Sequence, residues 1–355
     1  MTIESPQSTA APEHVPAARA LRGWRRGVFL CRVAVLTFLV RRRMPARPAV
    51  ALYRRVYRLL EDSTLLPENR ALVPHGVRTR GDLRYGTRPE ETLDVFRPDD
   101  DRTNLPIVFW VHGGGWISGS KADLHPYLQT LAARGFLVIA VEYTLAPELR
   151  YPGQIEQTAR ALRWILDRAD EHGGDPQRVF LAGDSAGASI SGQLARALAD
   201  PAYRARVDVR LPEIPAGAIR GAVLTSGAFL LTNVGGEDGL GRIGDLMIRA
   251  YTGTRRYIDD PRVRCASLAQ DMDASFPPTF LTAGNDDPLR ADSAALAAAL
   301  STSGVRVETA FFPEDHEPAL PHGYCCDLRR PEARATVDRI VAFLHRESTS
   351  TEAAS

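Results

Sequence analysis

The sequence predicts an α/β fold in which a mostly parallel central sheet is flanked by helices. From about residue 105 onwards, short apolar runs alternate with longer segments that carry apolar side chains at helical spacing. Several runs, such as 136-FLVIAVEY-143, are apolar along most of their length, as is typical of strands buried on both faces of a parallel sheet. Of the 355 residues, 44% are hydrophobic and 25% are charged, a composition typical of a globular protein.

Each element can be assigned from its own pattern. Residues 48–62 are predicted to be helical, and residues 77–87 and 92–98 alternate like two paired strands. Residues 105–111 are an apolar run that leads into glycines, which predicts a buried strand and a loop. By the same criteria the later strands are 136–143, 178–185, 219–227, 279–285 and 305–312, and the later helices are 124–134, 154–169, 187–199, 291–303 and 332–346.

The chain is expected to comprise a tail, an N-terminal segment and one main domain. Residues 1–20 are rich in Ser, Pro and Ala and are expected to be disordered. Residues 21–75 are predicted to be a largely helical segment, and no repeat or linker interrupts residues 76–346, which we interpret as one domain. Within that domain, residues 229–272 are Gly-rich and show no regular pattern, and residues 347–355 are expected to be a second tail.

The segment 24–44 allows three interpretations. Its apolar stretch, Gly27–Val40, has 14 residues and includes Arg32, whereas a membrane span needs about 20 apolar residues. The segment could pack on the protein as part of a lid, or its flanking arginines could hold it at an anionic membrane surface. The third interpretation is a cleaved signal, although no A-x-A-like site follows.

Charge and cysteine content exclude several classes of function. A formal net charge of +1 provides no overall field to attract nucleic acid. The four cysteines, Cys31, Cys265, Cys325 and Cys326, lack C-x-x-C spacing, so the sequence predicts no metal site. We interpret the neighbouring Cys325 and Cys326 as packing residues. A disulfide framework is not indicated, and the expected location is cytoplasmic, or membrane-associated if residues 24–44 dock on lipid.

Three consecutive glycines, Gly113, Gly114 and Gly115, follow the strand at 105–111. Glycine costs conformational entropy and offers no side chain to pack, so a triplet indicates that bare backbone is needed here. Backbone N–H groups can stabilise the negative charge that develops on a carbonyl oxygen during acyl transfer. We therefore predict that these glycines form an oxyanion hole and that His112 holds their loop in place by hydrogen bonds.

The motif 183-GDSAG-187 lies between a predicted strand and a predicted helix. A serine hydroxyl is a weak nucleophile until a base removes its proton, and it must project from a sharp strand-to-helix turn. Glycines on either side allow such a turn to be tight. This motif predicts Ser185 as a nucleophile and the N–H of Ala186 as a further oxyanion donor.

Together, HGGGW, VEYTLAPELRYP, GDSAG, DPLR and HGY resemble, in this order, the hormone-sensitive-lipase-like (bacterial family IV) branch of the α/β-hydrolases. The resemblance covers residues 77–346. It implies a carboxylic-ester hydrolase that needs no cofactor, binds a small-molecule or lipid ester, and often forms a homodimer. It also implies a helical cap built from the N-terminal segment and an insertion at about 229–272. One departure is Thr144, which stands where the family's YRLAP motif has Arg.

The remaining members of a Ser–acid–His triad follow from chain order, in which the acid precedes the histidine. Order alone leaves Asp286 and Asp287 as candidate acids, and His316 and His322 as candidate bases. The family's D-P-L-R pattern selects Asp287, and its H-G-F pattern, read here as H-G-Y, selects His322.

Two residues beside these motifs have more than one interpretation. Trp116 could line the substrate pocket or pack in the core, and Asp184 could line the pocket or hydrogen-bond nearby loop groups. The leading functional hypothesis is a serine esterase acting on short- to medium-chain acyl esters. The alternatives are a membrane-associated lipase or deacetylase and a hydrolase-fold binding protein without activity.

Overall fold

The predicted strands assemble into one eight-stranded sheet in the computed structural model, which describes residues 45–64, 72–236, 240–270 and 272–350. In chain order the strands are β1 (Val77–Arg84), β2 (Thr92–Pro98), β3 (Leu105–Val111), β4 (Leu137–Val141), β5 (Gly174–Asp184), β6 (Ile219–Thr225), β7 (Thr279–Ala283) and β8 (Val307–Phe311).

The sheet is mostly parallel, as the sequence predicts. Its spatial order is β1-β2-β4-β3-β5-β6-β7-β8, and only the β1–β2 and β2–β4 pairs are antiparallel. The central strands β3 and β4 are buried at every position, because helices cover both faces of a parallel sheet. The edge strand β1 is largely exposed, and its side chains show no regular alternation between buried and exposed positions.

Helices connect the strands and supply much of the core. The rings of Phe180 and Phe280, from β5 and β7, both contact Phe343 of the last helix. The helices among the described residues are α1 (Ala46–Thr64), α2 (His125–Ala133), α3 (Gly153–Leu166), α4 (Ala169–His172), α5 (Ala186–Ala199), α6 (Pro201–Arg206), α7 (Gly241–Thr252), α8 (Pro261–Cys265), α9 (Arg290–Thr302) and α10 (Pro331–Thr349), with a 3₁₀ turn at Tyr324–Cys326.

Several boundaries differ from the sequence-based prediction by a few residues, and three regions show physical reasons for such differences. Strand β5 begins four residues before the predicted start, since Gly174 and Asp175 pair with Leu105 and Pro106 of β3 despite their turn-forming sequence. The stretch 229–272, expected to be irregular, contains α7 and α8. Helix α10 runs to Thr349, because buried Glu347 pairs with two arginines, so the first residues of the expected C-terminal tail are helical.

The expectations for residues 1–20 and 24–44 lie outside the described residues. In the ranges that the structure does describe, no helix combines the length and the apolar run needed to cross a bilayer.

Candidate active site

Ser185 lies in a sharp turn between the end of β5 and the start of α5. Its φ of 52° is unusual for a residue with a side chain, and it is held there in part by an N–H bond of 2.8 Å to the Thr225 carbonyl. A Cβ on Gly187 would lie 2.0 Å from the Val111 carbonyl oxygen, and one on Gly183 would lie 2.6 Å from the Gly187 carbonyl carbon. Both glycines are therefore required by the close approach of the turn to β3.

His322 brings the two other predicted triad members into contact. Its Nε2 lies 3.0 Å from Ser185 Oγ, and its Nδ1 lies 2.9 Å from Asp287 Oδ1. If the Nδ1 proton faces the carboxylate, the Nε2 lone pair faces the hydroxyl of Ser185. The structure thus places Ser185, His322 and Asp287 in one hydrogen-bonded chain, although 137 and 35 residues separate the pairs along the sequence.

The structure distinguishes the two aspartates that chain order left open. Asp287 is 6% exposed, and its Oδ1 also accepts the N–H of Leu289 at 2.8 Å. Asp286 is exposed, and its backbone N–H bonds the Leu320 carbonyl. Of the two aspartates, Asp287 is the one that hydrogen-bonds the imidazole of His322.

His316 stands apart from Ser185. Its ring packs on Phe312 with the centroids 4.7 Å apart, and its Nε2 is 3.5 Å from a carboxylate oxygen of Glu332. Its backbone belongs to the loop that precedes His322, so it is a neighbour of the site along the chain without lining the cavity beside Ser185.

Asn285 is a residue of this region that sequence reasoning missed. Its amide Nδ2 donates to the carbonyls of Glu314 and His316 at 3.2 and 2.9 Å, and its Oδ1 accepts the N–H of Leu320 at 2.8 Å. One side chain therefore holds both ends of the loop that leads to His322. Its position two residues before Asp287 was the only available signal.

The charges of the triad reinforce each other. Burial would lower the pKa of His322, but the hydrogen bond to Asp287 and the negative charge of that carboxylate outweigh it and raise the pKa above 6.5. Burial would likewise raise the pKa of Asp287, but the hydrogen bond and positive charge of His322 hold that pKa below its usual value. Asp287 is therefore ionised at neutral pH and favours an imidazolium beside it.

The glycine loop is fixed to the serine turn by Asp184. One carboxylate oxygen accepts the indole N–H of Trp110 at 3.0 Å, and the other accepts the N–H of Gly113 at 3.1 Å. This contact corrects the prediction for Gly113, because its N–H is already engaged. Gly114, Gly115 and Ala186 remain as candidate oxyanion donors. A Cβ on Gly113 would lie 2.3 Å from Asp184 Oδ2, so the glycine there serves close approach.

His112 holds the loop as predicted. Its Nδ1 lies 2.8 Å from the Gly113 carbonyl oxygen, its Nε2 lies 3.2 Å from Glu142 Oε1, and its ring stacks on Tyr143. Glu142 Oε2 accepts the backbone N–H of Lys121, so one carboxylate holds His112 at the start of the loop and Lys121 at its end.

A cavity of about 380 Å³ opens beside Ser185 and His322. Asp184 borders it, consistent with either of its interpretations. Trp116 does not: it is 1% exposed and stacks on Tyr251 with the centroids 4.6 Å apart, which favours core packing over the pocket role. A larger cavity of about 1020 Å³ contacts none of the candidate triad residues. The smaller cavity is lined by Tyr53, His112, Gly113, Gly114, Gly115, Asp123, Leu124, Asp184, Ser185, Ser226, Leu240, Met247, His322, Gly323, Cys326, Asp327 and Arg329.

Comparison with known proteins decides the family. A family model described as the alpha/beta hydrolase fold matches residues 108–324, more than half of the chain. The chain belongs to the α/β-hydrolase family. Among curated relatives, this α/β-hydrolase is 34% identical to the carboxylesterase NlhH of Mycobacterium tuberculosis, over 82% of this chain and 87% of that protein. It is 31% identical to an ethyl acetate hydrolase of Pseudomonas putida, over 72% and 79% of the two chains.

Solved structures show the same fold. Esterase B of Lactobacillus rhamnosis superposes with a TM-score of 0.73 over 86% of this chain and 97% of that one, at 22% identity. The family model and the curated relatives confirm the resemblance to the hormone-sensitive-lipase-like branch that the motifs predicted.

The α/β-hydrolase keeps its motif loop anchored despite the departure at Thr144. The N–H of Thr144 donates to Gln157 Oε1 at 2.8 Å, and its hydroxyl accepts the Gln157 amide at 3.1 Å. From α1, the guanidinium of Arg54 donates to the carbonyls of Ala146 and Ile117 at 2.7 and 2.6 Å. Local packing is therefore maintained by a buried amide and by an arginine from a different helix.

Proposed function

We propose that this α/β-hydrolase cleaves carboxylic esters through an acyl-enzyme formed on Ser185, with His322 as base and Asp287 as the group that orients it. The observation that carries the proposal is the continuous hydrogen-bonded chain from Ser185 through His322 to Asp287 at the wall of a cavity. The enzyme class predicted from the motifs, a carboxylic-ester hydrolase, is confirmed by the curated relatives.

The proposed reaction follows from the geometry. His322 Nε2 takes the proton of Ser185 as Oγ attacks the ester carbonyl, and ionised Asp287 stabilises the imidazolium. The oxyanion is stabilised by N–H groups from Gly114, Gly115 and Ala186, of which each well-placed donor contributes roughly 3–4 kcal/mol. The imidazolium then protonates the departing alcohol. Water, deprotonated by the same imidazole, releases the acid and restores Ser185.

We also propose that α1 and the segment containing α7 form the cap. The two helices contact each other, and they contribute Tyr53 and Met247 to the lining of the cavity. Met247 also packs directly on the glycine loop, because a Cβ on Gly115 would lie 2.4 Å from its sulfur. Residues from both cap segments therefore border the space that an ester would occupy.

The size of the cavity supports short- to medium-chain acyl esters. At about 380 Å³ it lies near the lower end of the roughly 300–1,000 Å³ typical of small-molecule sites. We expect kcat/KM for p-nitrophenyl esters to be highest between acetate and octanoate and to fall by at least tenfold at palmitate. The measurement is a chain-length series below the critical micelle concentration. A maximum at palmitate would contradict this specificity and favour the lipase alternative.

The electrostatics of the pair predict the pH dependence. His322 must be neutral to accept a proton, and its pKa is raised above 6.5, so kcat/KM is expected to fall as pH decreases through a midpoint above 6.5. In Asp287→Asn the charge that raises this pKa is lost. The midpoint should then move to lower pH, and kcat should fall about 10⁴-fold because an amide favours the wrong imidazole tautomer.

The pH profile distinguishes this role from a structural one. A conservative Asp287→Glu variant should keep the midpoint above 6.5 even if misplacement of the carboxylate lowers kcat. An unchanged midpoint in Asp287→Asn, with the variant folded, would show that Asp287 does not set the pKa of His322.

A further inference from the structure

Two neighbouring thiols stand next to the proposed base. Cys325 and Cys326 are the last two residues of the 3₁₀ turn Tyr324–Cys326, which starts two residues after His322, and their Sγ atoms are 3.8 Å apart. Cys326 lines the cavity beside Ser185, whereas Cys325 is fully buried behind it. Both are free thiols, and their separation is far longer than the roughly 2.05 Å of a disulfide. The Cys326 thiol is thus accessible from the cavity, and the Cys325 thiol is close enough for one bound atom to contact both sulfurs.

The protonation of Cys326 and the spacing of the two sulfurs indicate which thiol chemistry suits this site. The hydrogen bond with Cys325 and burial raise the pKa of the Cys326 thiol well above its usual value. Peroxide oxidation requires the thiolate, so Cys326 is poorly suited to be a redox sensor. The geometry of the pair suits a soft centre, because sulfur ligands favour soft acceptors and two Sγ atoms 3.8 Å apart can bind one such centre together.

We propose that Cys325 and Cys326 form a binding site for trivalent organoarsenicals, and that its occupation closes the substrate cavity. An organoarsenic(III) oxide would react with both thiols. Two S–H bonds and the arsenic–oxygen bonds break, two arsenic–sulfur bonds form, and the oxygen leaves with both protons as water. Arsenic stays trivalent and the sulfurs stay reduced, so no further reactant is needed.

The organic group on arsenic would enter the cavity. Cys326 faces a space of about 380 Å³ that it shares with Ser185 and His322, so a phenyl group attached there would displace an ester. The backbone that carries the thiols is also tied to the site, because the N–H of Gly323 donates to Ser226 Oγ at 3.2 Å. This inhibition rests on the proposed function, whereas binding of the arsenical does not.

Phenylarsine oxide with the reduced full-length protein tests the site. To leave only this pair, Cys31 and Cys265 are replaced by serine. Intact-mass spectrometry should show one phenylarsenic group bound with the loss of two hydrogens. Hydrolysis of p-nitrophenyl butyrate should fall at least tenfold, and both changes should be reversed by 2,3-dimercaptopropanol but not by 2-mercaptoethanol at the same thiol concentration.

Single substitutions provide the controls. Cys326→Ser and Cys325→Ala should each abolish the adduct that resists 2-mercaptoethanol, and Cys326→Ser suffices if the buried substitution prevents folding. No adduct on the two-cysteine protein, or an adduct that survives in Cys326→Ser, would overturn the site. An adduct with unchanged hydrolysis would overturn closure of the cavity. If the unmodified protein hydrolyses no ester, the proposed function fails while the mass measurement still decides binding.

Discussion

Ser185→Ala is expected to lower kcat for p-nitrophenyl butyrate by about 10⁴- to 10⁶-fold, because no acyl-enzyme can form without the hydroxyl. The residual rate would come from the oxyanion donors and from substrate binding, which act independently of the nucleophile. Since the alanine retains the N–H that bonds the Thr225 carbonyl, KM should change much less than kcat. Steady-state assays that follow the release of p-nitrophenolate measure both kcat and KM.

A matched serine variant controls for this experiment. Ser301 is exposed on α9 and lies in none of the contacts of the site, so Ser301→Ala should retain full activity. Equal thermal unfolding midpoints for the two variants would show that loss of activity is not loss of fold. A Ser185→Ala protein with a kcat close to that of the wild type would refute the serine-esterase proposal.

His322→Ala is expected to lower kcat by a similar factor, about 10⁴ to 10⁶, whereas His316→Ala should change it less than about fivefold. The difference follows from position: His322 Nε2 is 3.0 Å from Ser185 Oγ, and His316 packs on Phe312 and approaches Glu332. Steady-state kinetics of both variants on the same ester is the direct comparison.

The two histidine variants also test which histidine of the loop after β8 acts as the base. Added imidazole should restore part of the activity of His322→Ala, because a diffusible base can replace the missing one in the space it leaves. A large loss in His316→Ala, with His322→Ala active, would place the base at His316 and require the loop to rearrange.

Much of the site could be read from the sequence because it depends on local backbone chemistry. The apolar strands and helical spacing specify alternating elements, and the sheet order of an α/β fold brings the carboxyl ends of its strands together. GDSAG predicts a sharp turn because it lies between a predicted strand and a predicted helix, and its glycines allow the turn to be tight. Ser185 and the fold class were thus predicted from segments of a few residues each.

Other assignments depended on contacts between distant segments. The N–H of Gly113 is engaged by Asp184 from another strand, which no local pattern of glycines reveals. Trp116 follows the loop in sequence but is covered by Tyr251 of α7, a helix that lay in the stretch with no readable pattern. Asn285 carries no motif, and its three hydrogen bonds exist only because β7 and the loop before His322 are adjacent in space.

By itself, then, the sequence determined the α/β architecture, the serine turn and a short set of acid and base candidates, because hydrophobic period and turn chemistry are local properties. The resemblance to the family selected Asp287 and His322, but only the tertiary structure showed that Asp287 is buried beside the imidazole, that His322 Nε2 lies against Ser185 Oγ, and that Cys326 lines the cavity. The reason is physical: a hydrogen bond or a shared cavity depends on the relative position of segments more than 30 residues apart, which is decided by packing rather than by any local pattern.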